Sequence, residues 1–363
     1  MSFGLTVFGI FILLIVTLDV LITTLTVGGG GPLTSRLSAR IWAIALKLHR
    51  HHSNHRILGT IGLSLLVFMT LLWFALTWLA WTLVFVSGEG AVVTSSNLIP
   101  ATFWERVYFV GYTLSTLGQG NYQPQGSPWQ IATAITSING FFLVTLTFAY
   151  LVPVVSAASQ KRSCATYIAS LGGTADEIIT RAWNGKDFGQ LDQHLIALSA
   201  MLTQLGENHL TYPILHYFHS IERYRAMTLS IVALDDALTL LQYGIPPNHQ
   251  PDGAALRSVR RASAAFVATL KSAYLNPTEE TPPLPALKLV RLEGIPTVSD
   301  SQFQQATQHL SQRRRILLEL IRNDGWTWDA IASTRTTSRA SNLDDHSALD
   351  DVVYMGVDRL PKT

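Results

Sequence analysis

Residues 102–124 read Thr-Phe-Trp-Glu-Arg-Val-Tyr-Phe-Val-Gly-Tyr-Thr-Leu-Ser-Thr-Leu-Gly-Gln-Gly-Asn-Tyr-Gln-Pro, a short helical pattern followed by a glycine-punctuated strand. Thr102 with Glu105 three residues on, just after Pro100, forms a capping-box pattern and predicts a helix running to about Ser115. Such a helix is too short to cross a bilayer. Gly118 and Gly120 alternate with Leu117 and Gln119, and glycine reaches the positive φ values that turn successive carbonyls one way.

The flanks say where this stretch sits. Residues 3–27, 57–87 and 129–157 are long apolar runs, each meeting or exceeding the roughly 20 residues that span a hydrocarbon core. Hydrophobic residues make up 48% of the chain and charged ones 14%, with most of the charge beyond Lys161, so a membrane half precedes a charged helical half. Non-helical backbone survives at membrane depth only where protein buries it or water reaches it, which makes residues 102–124 a re-entrant loop. No basic segment precedes the first run, so it is read as a retained helix rather than a secretory signal. Arg36, Arg40, Lys47, Arg50 and Arg56 lie between the first two runs, and Lys161 and Arg162 follow the third. The positive-inside rule then places the C-terminal half in the cytoplasm and the short N-terminus and the 88–128 loop outside a plasma or inner membrane. A net charge of +2 gives no argument for nucleic acid as a partner.

If four copies of the strand face one axis, the carbonyls of Thr116, Leu117, Gly118 and Gln119 stack as oxygen rings able to replace a cation's hydration shell. Tyr108-Phe109, then Thr113-Leu-Ser-Thr-Leu-Gly-Gln-Gly-Asn121 with Pro124, resembles the potassium-channel signature T-x-T-T-V-G-Y-G-D-x-x-P without a gap. The resemblance covers about residues 57–160 and implies an all-α membrane protein with a tetrameric pore-loop channel fold. Thr116 matches the innermost filter threonine, Gly118 and Gly120 the two filter glycines, and Asn121 the acidic outer-mouth residue. Gly140 falls at the spacing of the inner-helix glycine hinge, with Asn139 beside it near the cavity wall. Gln119 stands where the family has Tyr or Phe, so aromatic packing behind the filter is missing, and Asn121 removes one negative charge per subunit. The permeant ion implied is potassium, with sodium left open by these departures. One pore loop per chain implies a homotetramer.

Other residues carry weaker signals. Asp19 is the one acidic residue in the first run, where a carboxylate needs a partner; anchoring against another helix and a role in gating or ion handling are both open. Gly28–Gly31 with Pro32 ends that helix, without the Lys-Ser/Thr of a phosphate loop. Residues 33–56 suit a helix on the cytoplasmic membrane surface, its cations at 36–56 toward anionic lipid. His49, His51, His52 and His55 at its end are read as solvated or in contact with lipid headgroups rather than as a metal or pH site. Trp73, Trp78 and Trp81 are read as packing or interfacial anchors, and Cys164 as a small filler.

Beyond Arg162 the periodicity is helical. Leu195, Leu198, Leu202 and Leu205 form one stripe and Ile231, Leu234, Leu238 and Leu241 another, while Thr174 with Glu177 marks a helix start. A proline-rich stretch at 276–298 precedes a helix around 301–322. This predicts an all-α cytoplasmic C-terminal domain with no nucleotide-binding glycine fingerprint, its ligand not specified. His216, His219 and Glu222 fall on one face of a helix and are read as surface or packing residues, and Arg313–Arg315 as a solvated face. The organisation is therefore a transmembrane helix and connector at 1–32, an interfacial helix at 33–56, a pore domain at 57–162, a helical domain at 163–332 and a disordered tail at 333–363. The leading function is a passive cation channel, without enzymatic chemistry, cofactor or resident metal; the alternative is a non-conducting channel-like scaffold or signalling protein acting through its helical domain. No arginine-repeat helix argues for voltage sensing.

Overall fold

The computed structural model describes residues 2–28, 30–52, 55–274 and 279–331; the tail expected at 333–363 lies outside the described residues. Among the described residues three helices are long and apolar enough to cross a membrane: α1 (Phe3–Leu25), α3 (His55–Val86) and α5 (Ser127–Leu171). Between α1 and α3 lies α2 (Pro32–His52), and between α3 and α5 come β1 (Val92–Thr94), the short α4 (Phe103–Leu114) and β2 (Tyr122–Pro124). The two strands pair antiparallel, with Thr94 opposite Tyr122.

Each tryptophan of α3 donates its indole N–H to a different neighbour. Trp73 donates to Asp19 Oδ2 on α1 at 2.9 Å, Trp78 to the Val107 carbonyl on α4 at 2.9 Å, and Trp81 to Asn139 Oδ1 on α5 at 3.1 Å. A buried indole must satisfy its donor, so Trp73 and Trp81 fix α3 against α1 and α5 while supplying apolar bulk, and the more exposed Trp78 ties α3 to α4. They are packing residues.

Asp19 is fully buried and takes the anchoring role. Its Oδ1 accepts the main-chain N–H groups of Leu33 (2.7 Å) and Thr34 (3.1 Å), and its Oδ2 accepts the Thr34 hydroxyl (2.5 Å). The first N–H groups of a helix have no partner within it, and a carboxylate there also meets the positive end of the helix dipole. Asp19 thus caps α2 from the neighbouring helix. A Cβ on Gly31 would stand 2.2 Å from Asp19 Oδ1, so only glycine admits this approach.

At 45 residues α5 is about 67 Å long, roughly twice the hydrocarbon thickness. Its far end enters the C-terminal core, where Cys164, Ala165 and Ile168 are buried. That core is built by α6 (Ala175–Ala182), α7 (Leu191–Thr211), α8 (Met227–Thr239), α9 (Gly253–Tyr274), α10 (Leu287–Leu292), α11 (Asp300–Thr307) and α12 (Ser311–Asn323). Both leucine stripes are inside it, and Thr174 caps α6 by accepting the Glu177 N–H. The single helix expected around 301–322 is two, α11 and α12, separated by a tight turn at Gln308–Leu310.

Further expectations are corrected. Arg313 and Arg314 are not solvated: Arg313 pairs with Asp235, which Arg260 also binds, and Arg314, 3% exposed, pairs with Asp236. Burial pushes the Asp235 carboxyl up, but the guanidiniums of Arg313 and Arg260 outweigh this and hold it below the usual carboxylate range. Nor do His216, His219 and Glu222 share a helical face. Pro213 starts a tight turn through Tyr217, and His219 lies in the loop beyond. Both histidines are buried while Glu222 is exposed. Asn323 donates its side-chain amide toward His216 Nε2 at 3.0 Å, and His219 Nδ1 lies 3.1 Å from Asp324 Oδ1.

These loops meet α2 and the first residue of α3. Trp42 donates to the Asn323 carbonyl at 3.2 Å, His49 Nε2 lies 3.0 Å from the Gly325 carbonyl, and His55 Nδ1 lies 3.1 Å from His219 Nε2. His49 and His55 are therefore packed into this junction rather than solvated as expected. Lys161 of α5 donates to the carbonyls of Leu215 and Phe218 at 3.0 and 2.9 Å on the same side.

Candidate pore segment

The segment that decided the reading is held by α4. The Glu105 carboxylate accepts the main-chain N–H of Thr102 at 2.7 Å and its hydroxyl at 2.8 Å, forming the expected capping box. Those two bonds, with a third from the Tyr122 phenol at 3.0 Å, hold the Glu105 carboxyl below its ordinary range. Arg106 on the next position is buried and aims back at the end of α3. It donates to the carbonyls of Ala101 (2.9 Å), Val86 (3.2 Å) and Gly88 (2.9 Å) and to that of Glu89. The last carbonyls of a helix carry the negative end of its dipole, so a guanidinium there both pairs them and locks α4 onto α3. Phe109 packs edge-on against Phe85, which also meets Trp129 at the start of α5.

The helix stops at Leu114, and Ser115 closes it by donating its N–H to Gly111 O. Thr116 then adopts φ +58° and Gly118 φ +65°, whereas Leu117 and Gln119 between and after them keep negative φ. A left-handed residue at every second position is a backbone pattern that can turn successive carbonyls the same way. Thr116 is the unexpected member, because a residue with a Cβ pays about 1–2 kcal/mol in this region. Its N–H donates to Thr113 O at 3.1 Å and the Leu117 N–H to Tyr112 O at 2.9 Å, which holds the turn in place. Residues 116–121 are exposed on the isolated chain, Leu117 by 64%.

The C-terminal end of α4 rests on the middle of α5. A Cβ at Gly140 would lie 2.1 Å from the Leu114 carbonyl oxygen, so Gly140 provides the gap that seats α4, and α5 continues through it unbroken. Asn139 is turned toward Trp81 on α3. Asp19 lies apart from the segment, at the α1–α2 contact. The chain therefore sets Gly140 against Leu114, two residues before the Thr116–Asn121 stretch, and leaves Asp19 apart from it. The residues that fix the segment from behind, Ser95, Arg106, Tyr112 and Tyr122, were not singled out in the sequence. The only signals were an arginine inside a short apolar helix and tyrosines spaced to face one another across the turn.

Comparison with known proteins follows the same lines. A family model described as "Ion channel" matches residues 55–157. An uncharacterized membrane protein of Bacillus subtilis (strain 168), YdjJ, is 35% identical over 329 residues, covering 90% of this chain and 96% of the relative. No solved structure gives a significant match.

Proposed function

From the premise that this chain belongs to the ion-channel family, of the two-transmembrane, potassium-channel type, we propose that it is a passive cation channel, conducting potassium through a filter formed by Thr116, Leu117, Gly118 and Gln119. The observation that carries this reading is the pair of left-handed residues at Thr116 and Gly118, a backbone able to turn main-chain oxygens one way, in a segment, residues 116–121, that is exposed. Oxygen rings of this kind replace the hydration shell of a monovalent cation. Four copies close the ring, so the working form is a homotetramer, with Gly120 and Asn121 at the outer mouth and the N-terminus outside.

Opening requires α5 to move at its inner end. Gly140 is the hinge in this reading, and α5 transmits the movement directly because the same helix enters the C-terminal core. The basic positions Arg36, Arg40, Lys47 and Arg50 of α2 are exposed together with Ile44 and Leu48, a face suited to an anionic lipid surface on the cytoplasmic side. Catalysis has no part in this function.

The test is the reversal potential of the purified protein in liposomes under opposed potassium and sodium gradients. A potential near the potassium limit is expected, and Gln119→Tyr should leave it there or sharpen it. Absence of any flux would remove the channel reading in favour of a non-conducting scaffold. Gly140→Ala should alter open probability, and unchanged gating kinetics would remove the hinge.

A further inference from the structure

Beyond Gln119 the main chain is held from behind at three successive carbonyls. The Ser95 hydroxyl donates to Gly120 O at 2.6 Å, the Ser95 main-chain N–H donates to Asn121 O at 3.0 Å, and the Tyr112 hydroxyl donates to Tyr122 O at 2.9 Å. The pairing of Thr94 with Tyr122 is what delivers Ser95, the next residue, to this place. Tyr122 extends the chain of bonds by donating its phenol to Glu105, and Tyr108 stands edge-on to both Tyr112 and Tyr122.

Tyr112 acts at both ends of the strand. Its carbonyl accepts the Leu117 N–H and its hydroxyl reaches the Tyr122 carbonyl, so one residue of α4 brackets positions 117–122. A phenol stays protonated at physiological pH, so the donor is always present. A ring of carbonyls separates ions of different radius only as far as it resists relaxing around the smaller one. Within one chain, residues 116–121 are exposed and are held at their two ends.

We infer that Ser95 and Tyr112 are positioning residues that fix the far end of the filter and thereby set its discrimination between potassium and sodium, a task that Gln119 does not perform with an aromatic ring. The inference rests on the channel reading for its effect on ions, but the bracing itself does not. One consequence is that the Gly120 carbonyl, occupied by Ser95, is withdrawn from the ladder, which ends at Gln119.

Ser95→Ala and Tyr112→Phe each delete one hydroxyl while keeping the fold's packing. In the full-length protein, hydrogen–deuterium exchange of the peptide covering 116–122 should quicken roughly fivefold in each variant, the factor that follows from losing one neutral hydrogen bond. The potassium-to-sodium permeability ratio from reversal potentials should fall by a similar factor. Exchange equal to wild type in both variants would overturn the bracing, and faster exchange with an unchanged ratio would overturn its role in selectivity. Should wild-type protein pass no cation, the channel reading fails, while the exchange comparison still decides whether Ser95 and Tyr112 hold the strand.

Discussion

The polar side chains that join elements in the membrane half include several that bond to the main chain of a neighbour, whereas the C-terminal half also buries carboxylates that pair with side chains. Asp19 takes the first N–H groups of α2, Arg106 takes the last carbonyls of α3, and Ser95 and Tyr112 take carbonyls beyond Gln119. In the other half Asp235 meets Arg260 and Arg313, Asp236 meets Arg314, and Asp324 meets His219. The first arrangement uses groups that every helix end already exposes, so one polar side chain suffices to join two elements at low dielectric. In the second, the arginine–aspartate pairs each join two charged groups, either of which is costly to bury alone. Main-chain ties have one end that mutation can reach; paired charges have two.

The largest expected effect breaks a pair. Arg314→Met leaves Asp236 buried and uncompensated and should cost about 3–5 kcal/mol, read from chemical unfolding of the purified protein. Adding Asp236→Leu should recover most of that loss, because the pair is replaced by apolar volume. If the double variant is no more stable than Arg314→Met, the two residues are not acting on each other.

The corresponding break in the membrane half has no second-site cure. Asp19→Ala strands the Leu33 and Thr34 N–H groups, the Thr34 hydroxyl and the Trp73 indole, and should cost about 3 kcal/mol. Thermal unfolding in detergent measures the loss, and faster exchange at residues 33–35 locates it. An unchanged melting temperature would show that α2 is held by its apolar face alone.

The same contrast explains what could be read from the sequence. Thr102 with Glu105, the end of α4 near Ser115 and the leucine stripes were legible because each rests on side chains at fixed spacings. Asp19 announced that it needed a partner but not which one, since main-chain N–H groups carry no residue signature; Gly31-Pro32 was the only trace of the helix start it caps. The left-handed Thr116 was hidden for the same reason, as the strand's glycines drew attention to themselves. The Arg313–Arg315 run was misread because its partners are 78 residues away. The available clue was Asp235-Asp236 inside the apolar run of α8, two carboxylates that such a helix could not bury without distant cations. His216 and His219 were misplaced because a helical period was carried past Pro213, which ends α7.

Acid probes a buried group whose partner is neutral. Burial, with Lys161 nearby, pushes the His216 imidazole down to about 3, and the Asn323 amide facing Nε2 also favours the unprotonated ring. Asp324 opposes the shift. Because the folded value lies below the unfolded one near 6.5, His216 contributes its full stability above pH 6.5 and loses it as the pH falls toward 3. Taking the pH from 6.5 to 5 should therefore cost about 2 kcal/mol through this residue. His216→Gln, which keeps an acceptor for Asn323, should remove that part of the acid sensitivity. An identical pH profile in the variant would place the titration elsewhere, with His209, whose pKa burial also lowers to about 3, the next to examine.

The smallest effect sharpens the comparison at the start of α4, where a side chain and the main chain share one carboxylate. Thr102→Ala removes the hydroxyl that Glu105 accepts but leaves the Thr102-position N–H to donate as before, so the loss should be about 1 kcal/mol. Glu105 would keep its bond from Tyr122, and with it the brace behind the 116–122 strand. Exchange should therefore rise in the first turn of α4 while the strand stays protected. Equal loosening of both would mean that the cap and the brace form a single cooperative unit, and that the strand is tied to α4 through Glu105 as firmly as through Tyr112.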